Sequence, residues 1–68
     1  MSGEVDQIFQ DLTRDEAIAR ARRAAEDKAV AAGADRATID VVEVEDLPLA
    51  YLPGNSLRVR VRVVGEIG

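Results

Sequence analysis

From Leu57 to Val64 apolar residues and arginines alternate: Leu57, Val59, Val61 and Val63 are interleaved with Arg58, Arg60 and Arg62. Side chains of a strand point alternately to its two faces, so this stretch predicts a strand over 57–64 with one valine face and one arginine face. Just ahead of it stands Tyr51-Leu52-Pro53-Gly54-Asn55. Pro53 and Gly54 suit the two central positions of a type II turn, the second of which needs φ > 0. A strand of this kind needs a neighbouring strand for its backbone and an apolar layer for its valines.

The neighbour is the β-branched segment Thr38 to Glu45, which predicts a strand over 38–45. The intervening loop, 46–56, contains Pro48, Pro53 and Gly54 and cannot be a crossover helix, so the two strands are expected to form an antiparallel, long-looped hairpin. Setting Val44 opposite Val59 places Val42 against Val61, Glu45 against Arg58 and Glu43 against Arg60. Valines then line one face and opposite charges meet on the other, each pair contributing about 0.2–1 kcal/mol. A slip of one residue would set valines against charges on both faces. Two strands alone are marginal, and both edges of the hairpin are open. The expected remedy is a further strand from a partner chain or a parent domain.

The apolar layer comes from upstream. Thr13-Arg14-Asp15-Glu16 reads as a capping box, with Thr13 the N-cap and Glu16 reaching back to its amide. Behind it Ala17, Ile18, Ala21, Ala24, Ala25, Ala29 and Ala32 form one stripe of a helix over 14–32, rich in the best helix former. Gly33 fits the position just past its end. Ahead of it, Val5, Ile8, Phe9 and Leu12 fall at i, i+3, i+4 and i+7, with Ser2 a candidate N-cap, so 2–12 is expected to be a short amphipathic helix. The fold class expected is α+β: a small two-layer module with one or two helices and a β-hairpin, the antiparallel strands packed on the alanine-rich helix. Sixty-eight residues suffice for one small domain, 1–68.

Composition narrows the functions open to this chain. A net charge of −4 argues against a nucleic-acid footprint and against attraction to anionic lipid. No apolar run approaches the roughly 18 residues that span a bilayer, and no secretory signal pattern opens the sequence, so a cytoplasmic protein is expected. With neither Cys nor His present, disulfides are excluded and only carboxylate metal sites are open.

Few residues could carry chemistry. Ser56 has no histidine to serve as its base, and closing the turn is role enough for it. Glu43, Glu45 and Asp46 could offer oxygens to Ca²⁺ or Mg²⁺, but the arginine row opposite would repel a cation and pairing with Arg58 and Arg60 is the simpler reading. That pairing also weakens Arg58, Arg60 and Arg62 as a phosphate site. No glycine-rich phosphate loop occurs. Neither a catalytic residue, a metal nor a cofactor is therefore expected of this chain. The loop from Leu47 to Asn55 differs from an ordinary hairpin tip in carrying Leu, Tyr and Pro. Leu49, Tyr51 and Leu52 either fold back over a thin core or present an aromatic anchor to a partner, with Tyr51, Leu52, Pro53 and Asn55 as the contact residues.

Three stretches carry a family likeness: Ser2-Gly3-Glu4-Val5-Asp6-Gln7-Ile8-Phe9, the Ala/Arg-rich segment from Asp15 to Gly33, and Val41 to Asn55 with its Leu-Ala-Tyr-Leu-Pro-Gly-Asn, continued by Arg58-Val59-Arg60-Val61. Together they resemble the C-terminal tail of the hydantoinase A and 5-oxoprolinase family, which includes N-methylhydantoinase and acetone carboxylase subunits. The resemblance implies an ATP-dependent, cyclic-amide-opening parent activity. It also implies that the nucleotide and metal residues, on a fold related to actin and sugar kinases, lie upstream of the corresponding segment. No catalytic residue carries over. The expectation is a structural or assembly domain within a homo-oligomer or a larger enzyme subunit; the alternative is a stand-alone oligomeric module that binds a small ligand or a protein.

Overall fold

A computed structural model of the 68-residue chain describes residues 1–49 and 55–68. In chain order it contains β1 (Ser2–Gln10), α1 (Arg14–Ala31), a 3₁₀ turn (Arg36–Thr38), β2 (Asp40–Pro48) and β3 (Ser56–Val64). The fold is α+β, as expected. One helix packs on a three-stranded antiparallel sheet of order β1-β3-β2.

The segment 2–12 is a strand over most of its length, not the amphipathic helix its spacing predicted. Val5, Ile8 and Phe9 satisfy a helical period, but Gly3, Val5, Gln7 and Phe9 also share one face of a strand, opposite Val63, Val61, Val59 and Leu57. The strand wins because β3 offers it a full edge of backbone partners, and a third strand lifts the hairpin out of its marginal state. The expected completing strand therefore comes from the chain's own N-terminus. The sheet still ends in two open edges, β1 and β2.

β1 and β2 each run antiparallel to β3, hence parallel to one another, and α1 connects them across one face of the sheet. Eighteen helical residues span about 27 Å, close to the roughly 30 Å of a nine-residue strand, so the crossover fits without slack. Thr13 caps the helix: its Oγ1 accepts from the Glu16 amide and donates to the Glu16 carboxylate, both at 3.2 Å. The carboxylate thus meets the Thr13 hydroxyl rather than the amide of a standard capping box. At the other end Gly33, at φ +110°, donates to the Val30 carbonyl while the Ala34 amide donates to Ala29, the paired bonds of a Schellman stop.

Ala17, Ala21, Ala25 and Ala29 are fully buried at i, i+4 spacing, and with Val5, Val59, Val61 and Val63 they form the core. Side chains this small bring the helix backbone close to the sheet. At Gly3 the approach is so tight that a Cβ would lie 2.1 Å from the Ala25 carbonyl oxygen. Helix and sheet are locked there by the absence of a side chain.

The β2–β3 register differs from the expected one by two residues. Val44 lies opposite Val61, Glu45 opposite Arg60 and Glu43 opposite Arg62. A shift of two preserves which face each side chain takes, so side-chain alternation cannot distinguish these registers. A bulge at Val42 then turns Val41 to the valine face, opposite Val63, in place of the Val42 that the expected register put there. Residues after β3 fold back on the helix exit: the Asp35 amide donates to the Glu66 carbonyl and the Glu66 amide to Thr38 Oγ1.

Candidate functional site

The sheet's two faces differ because alternation in β3 sends valines under the helix and arginines to the opposite side. On that outer face Arg58, Arg60 and Arg62 form a central row. Glu4 and Asp6 of β1 flank it on one side, and Glu43 and Glu45 of β2 on the other. Arg58 makes a two-pronged contact with Asp6, from Nε to Oδ1 at 2.8 Å and from Nη2 to Oδ2 at 2.6 Å. Arg60 bridges the rows, with Nε 3.2 Å from Glu4 Oε1 and Nη2 3.5 Å from Glu43 Oε1. That Glu43 oxygen is shielded from solvent and has no hydrogen-bond partner, so its contact with Arg60 is electrostatic. The helix expected over 2–12 keeps Glu4 and Asp6 off the sheet, so the sequence alone does not point to them as partners of these arginines. Their alternation with Gly3, Val5 and Gln7 was the available signal.

Pairing shifts Asp6 and Arg60 on this face and Asp46 and Arg14 on the other. The Arg58 hydrogen bonds, aided by the positive charges of Arg58 and Arg60, hold the Asp6 carboxyl below its usual range. Glu4 above all, and then Glu43, raise Arg60. On the helix side Asp46 is held low by its hydrogen bond from Arg14, with Nε to Oδ2 at 2.7 Å, and Arg14 is raised in return. Asp46 thus pairs with the first residue of α1 rather than with the arginine row. Each of these shifts favours the charged form, which fits ion pairing rather than proton transfer at neutral pH.

Of the proposed contact residues, Tyr51, Leu52 and Pro53 lie outside the described residues. Asn55 is exposed, and its carbonyl accepts from the Asp11 amide at 2.9 Å. Asp11 adopts a left-handed conformation, φ 59°, at the exit of β1. The Leu49 amide donates to the Ser56 carbonyl at 3.0 Å, closing the base of the hairpin loop, and both residues are buried. Leu49 is thus buried at the loop base, outside the cluster formed by α1, β1 and β3. Ser56 sits at that base among backbone partners.

Among the described residues no group of three or more Asp, Glu, His or Cys side chains is placed to hold a metal ion. A cleft of about 260 Å³ on the outer face is lined by Glu45, Leu47, Arg58 and Arg60. A shallower groove of about 540 Å³ runs along the outer side of α1, where Arg22 pairs with Glu26 and Arg36 with Asp27. No helix among the described residues is long and apolar enough to cross a membrane.

The helix lies over β1 and β3 and barely reaches β2. As a result even Val41 and Val44, on the helix face of β2, are not buried, and neither is any other of its nine residues. Val41, Val42, Val44 and Leu47 retain 37%, 49%, 43% and 55% of their accessible surface. With its outer edge unpaired, β2 is the largest unfinished feature of the described chain. No protein-family model, curated protein or solved structure matches this sequence.

Proposed function

We propose that this chain is a structural and assembly domain, non-catalytic on its own, resembling the C-terminal part of an ATP-dependent hydantoinase/5-oxoprolinase-type amide hydrolase of the cytoplasm. The observation that carries the assembly role is β2, an open edge strand with four large apolar side chains and no buried residue. Natural sheets cover, pair or blunt such edges. The engagement of Arg58, Arg60 and Arg14 with carboxylates supports a scaffolding role for the charged residues, since each is already paired with an acidic neighbour. The family part of the reading rests on the sequence resemblance around residues 41–55.

Three measurements test this reading. Added to a hydantoinase-type large subunit lacking its corresponding C-terminal segment, the chain should restore assembly, and failure to associate removes the family reading. Titration of the isolated chain with ATP and Mg²⁺ in a calorimeter should give no binding heat; saturable heat would make the chain itself a nucleotide site. At the hairpin tip, Tyr51→Ala should weaken association or lower the melting temperature, and unchanged values for both would remove the tip from the interface.

The cleft between Glu45, Leu47, Arg58 and Arg60 favours one alternative, a stand-alone oligomer that binds a small ligand. A ligand retained through purification, with a particle size that depends on concentration, would support that reading over the first.

A further inference from the structure

The two open edges of the sheet are finished differently. On β1, Gly3 and Val5 are buried beneath the helix, and the Glu4 carbonyl accepts from Lys28 Nζ at 3.2 Å. Met1 and Gly65 exchange two backbone bonds that carry the β1–β3 ladder one residue further, on the side away from that edge. On β2, by contrast, the apolar side chains stay half exposed.

Charge then separates the possible occupants of the β2 edge. Asp40, Glu43, Glu45 and Asp46 give this strand four acids and no base, so β2 alone accounts for the chain's net charge of −4. Glu43 meets Arg60 and Asp46 meets Arg14; Glu45, opposite Arg60, acts on it through charge without a close contact, and Asp40 has no hydrogen bond or ion pair among the described residues. A second copy fits poorly. In an antiparallel pairing centred on Val44, β2 against β2 of another copy sets Glu43 beside Glu45, and β1 of another copy offers β2 two further acids, Glu4 and Asp6, and no base. Like charges opposite one another destabilise strand pairing.

The strand already accepted on the inner side of β2 shows the complementary pattern. β3 presents arginines to Glu43 and Glu45 on the outer face and valines to Val41 and Val44 on the helix face. We propose that the free edge of β2 is a strand-addition site for an extended segment of a different protein in which apolar and basic residues alternate. Such a segment continues the acid–base–acid rows of the outer face with a fourth, basic row, and lays apolar side chains beside Val44 where the helix does not reach. Backbone hydrogen bonds supply affinity and the alternating side chains supply selection, as in other strand-addition complexes. The inference deepens the assembly reading and rests on it, but it does not depend on the family likeness.

The test uses the full 68-residue chain, isotope-labelled, followed by backbone-amide NMR. The probes are a blocked heptapeptide alternating lysine and valine, its glutamate–valine counterpart, and the lysine–valine peptide N-methylated on one backbone edge. The lysine–valine peptide should shift amides within 40–48 and bind about tenfold more tightly than the glutamate peptide, a difference within reach of two or three cross-strand charge pairs. N-methylation should abolish binding, because strand addition needs backbone donors that simple charge attraction does not. Asp40→Asn with Glu45→Gln should reduce the preference severalfold at an unchanged melting temperature. Equal binding of the two charged peptides, survival of binding after N-methylation, or shifts confined to β1 would each overturn the proposal. Dimerisation of the chain through β2 would overturn it while leaving the assembly reading intact. A monomer that binds no peptide and associates with no enzyme subunit would sink both.

Discussion

β2 and β3 are strands of equal length joined in one hairpin, and both are rich in valine, yet they end in opposite circumstances. Val59, Val61 and Val63 of β3 are fully buried, while Val41, Val42 and Val44 of β2 remain substantially exposed. The difference is position, not composition. β3 is central, with a strand on either side and the alanine face of α1 above it, whereas β2 lies beyond the helix. An α-helix with its side chains is about 10–12 Å across and strands are spaced about 4.8 Å apart, so a single helix closely covers about two strands. The third strand requires another source of cover.

If this contrast is correct, the largest loss comes from prying the helix off the covered pair of strands. Gly3→Ala places a Cβ against the Ala25 carbonyl and the Ala29 amide, both backbone atoms that cannot rotate away. A cost of about 3 kcal/mol is expected, at the upper end for overpacking. Chemical denaturation measures it. A well-folded variant of unchanged stability would mean that α1 does not lie as close to β1 as described.

Next comes a paired truncation across the ladder. Val61 and Val44 are opposite one another, so Val61→Ala and Val44→Ala remove the same atoms from neighbouring sites. The buried one should cost about 2 kcal/mol, from lost transfer energy and the cavity left behind. The half-exposed one should cost well under about 1 kcal/mol, within the range of surface substitutions. Adding a partner that covers β2 should raise the second cost toward the first. Equal costs in the isolated chain would erase the distinction between covered and uncovered strands.

The parts of the fold legible in the sequence are those specified locally. Thr13, Glu16 and Gly33 mark the ends of α1 by their own hydrogen bonds, and the Val/Arg alternation of β3 fixes its two faces. Two features depend on distant partners and could not be read this way. Val5, Ile8, Phe9 and Leu12 fit a helix, and β3's free edge, which lies more than forty-five residues away along the chain, decides the matter. The hairpin register is set where the Leu49 amide meets the Ser56 carbonyl, and a two-residue shift leaves the side chains from Glu43 onward on their expected faces, while the bulge at Val42 exchanges the faces ahead of it. The arginine row is legible as a basic face, but half of its acidic partners belong to the N-terminal segment, whose spacing suits a helix. The exposure of β2 follows from how far α1 extends sideways, which no local pattern records.

The smallest expected effect is on acid stability, and it separates the two regions by their ion pairs. Asp6 ties β1 to β3 through Arg58, and Asp46 ties β2 to the start of α1 through Arg14. Both carboxyls are held below the roughly 3.9 of an unperturbed aspartate. A carboxyl with a lower pKa in the folded chain than in the unfolded one stabilises the fold fully above the unfolded value, and that contribution fades as pH falls through the folded value. Stability should therefore be flat near neutrality and decline below about pH 4. Asp6→Asn and Asp46→Asn should each flatten part of that decline and lower stability slightly at pH 7, since both pairs are exposed and screened by salt. Local unfolding distinguishes them. Loss of the Asp46 pair should speed amide exchange in 40–48 alone, because β2 has little burial to hold it, whereas loss of the Asp6 pair should leave β1 protected by the core beneath it. Faster exchange in β1 than in β2 under the same conditions would reverse the order of the two edges and, with it, the identification of β2 as the unfinished one.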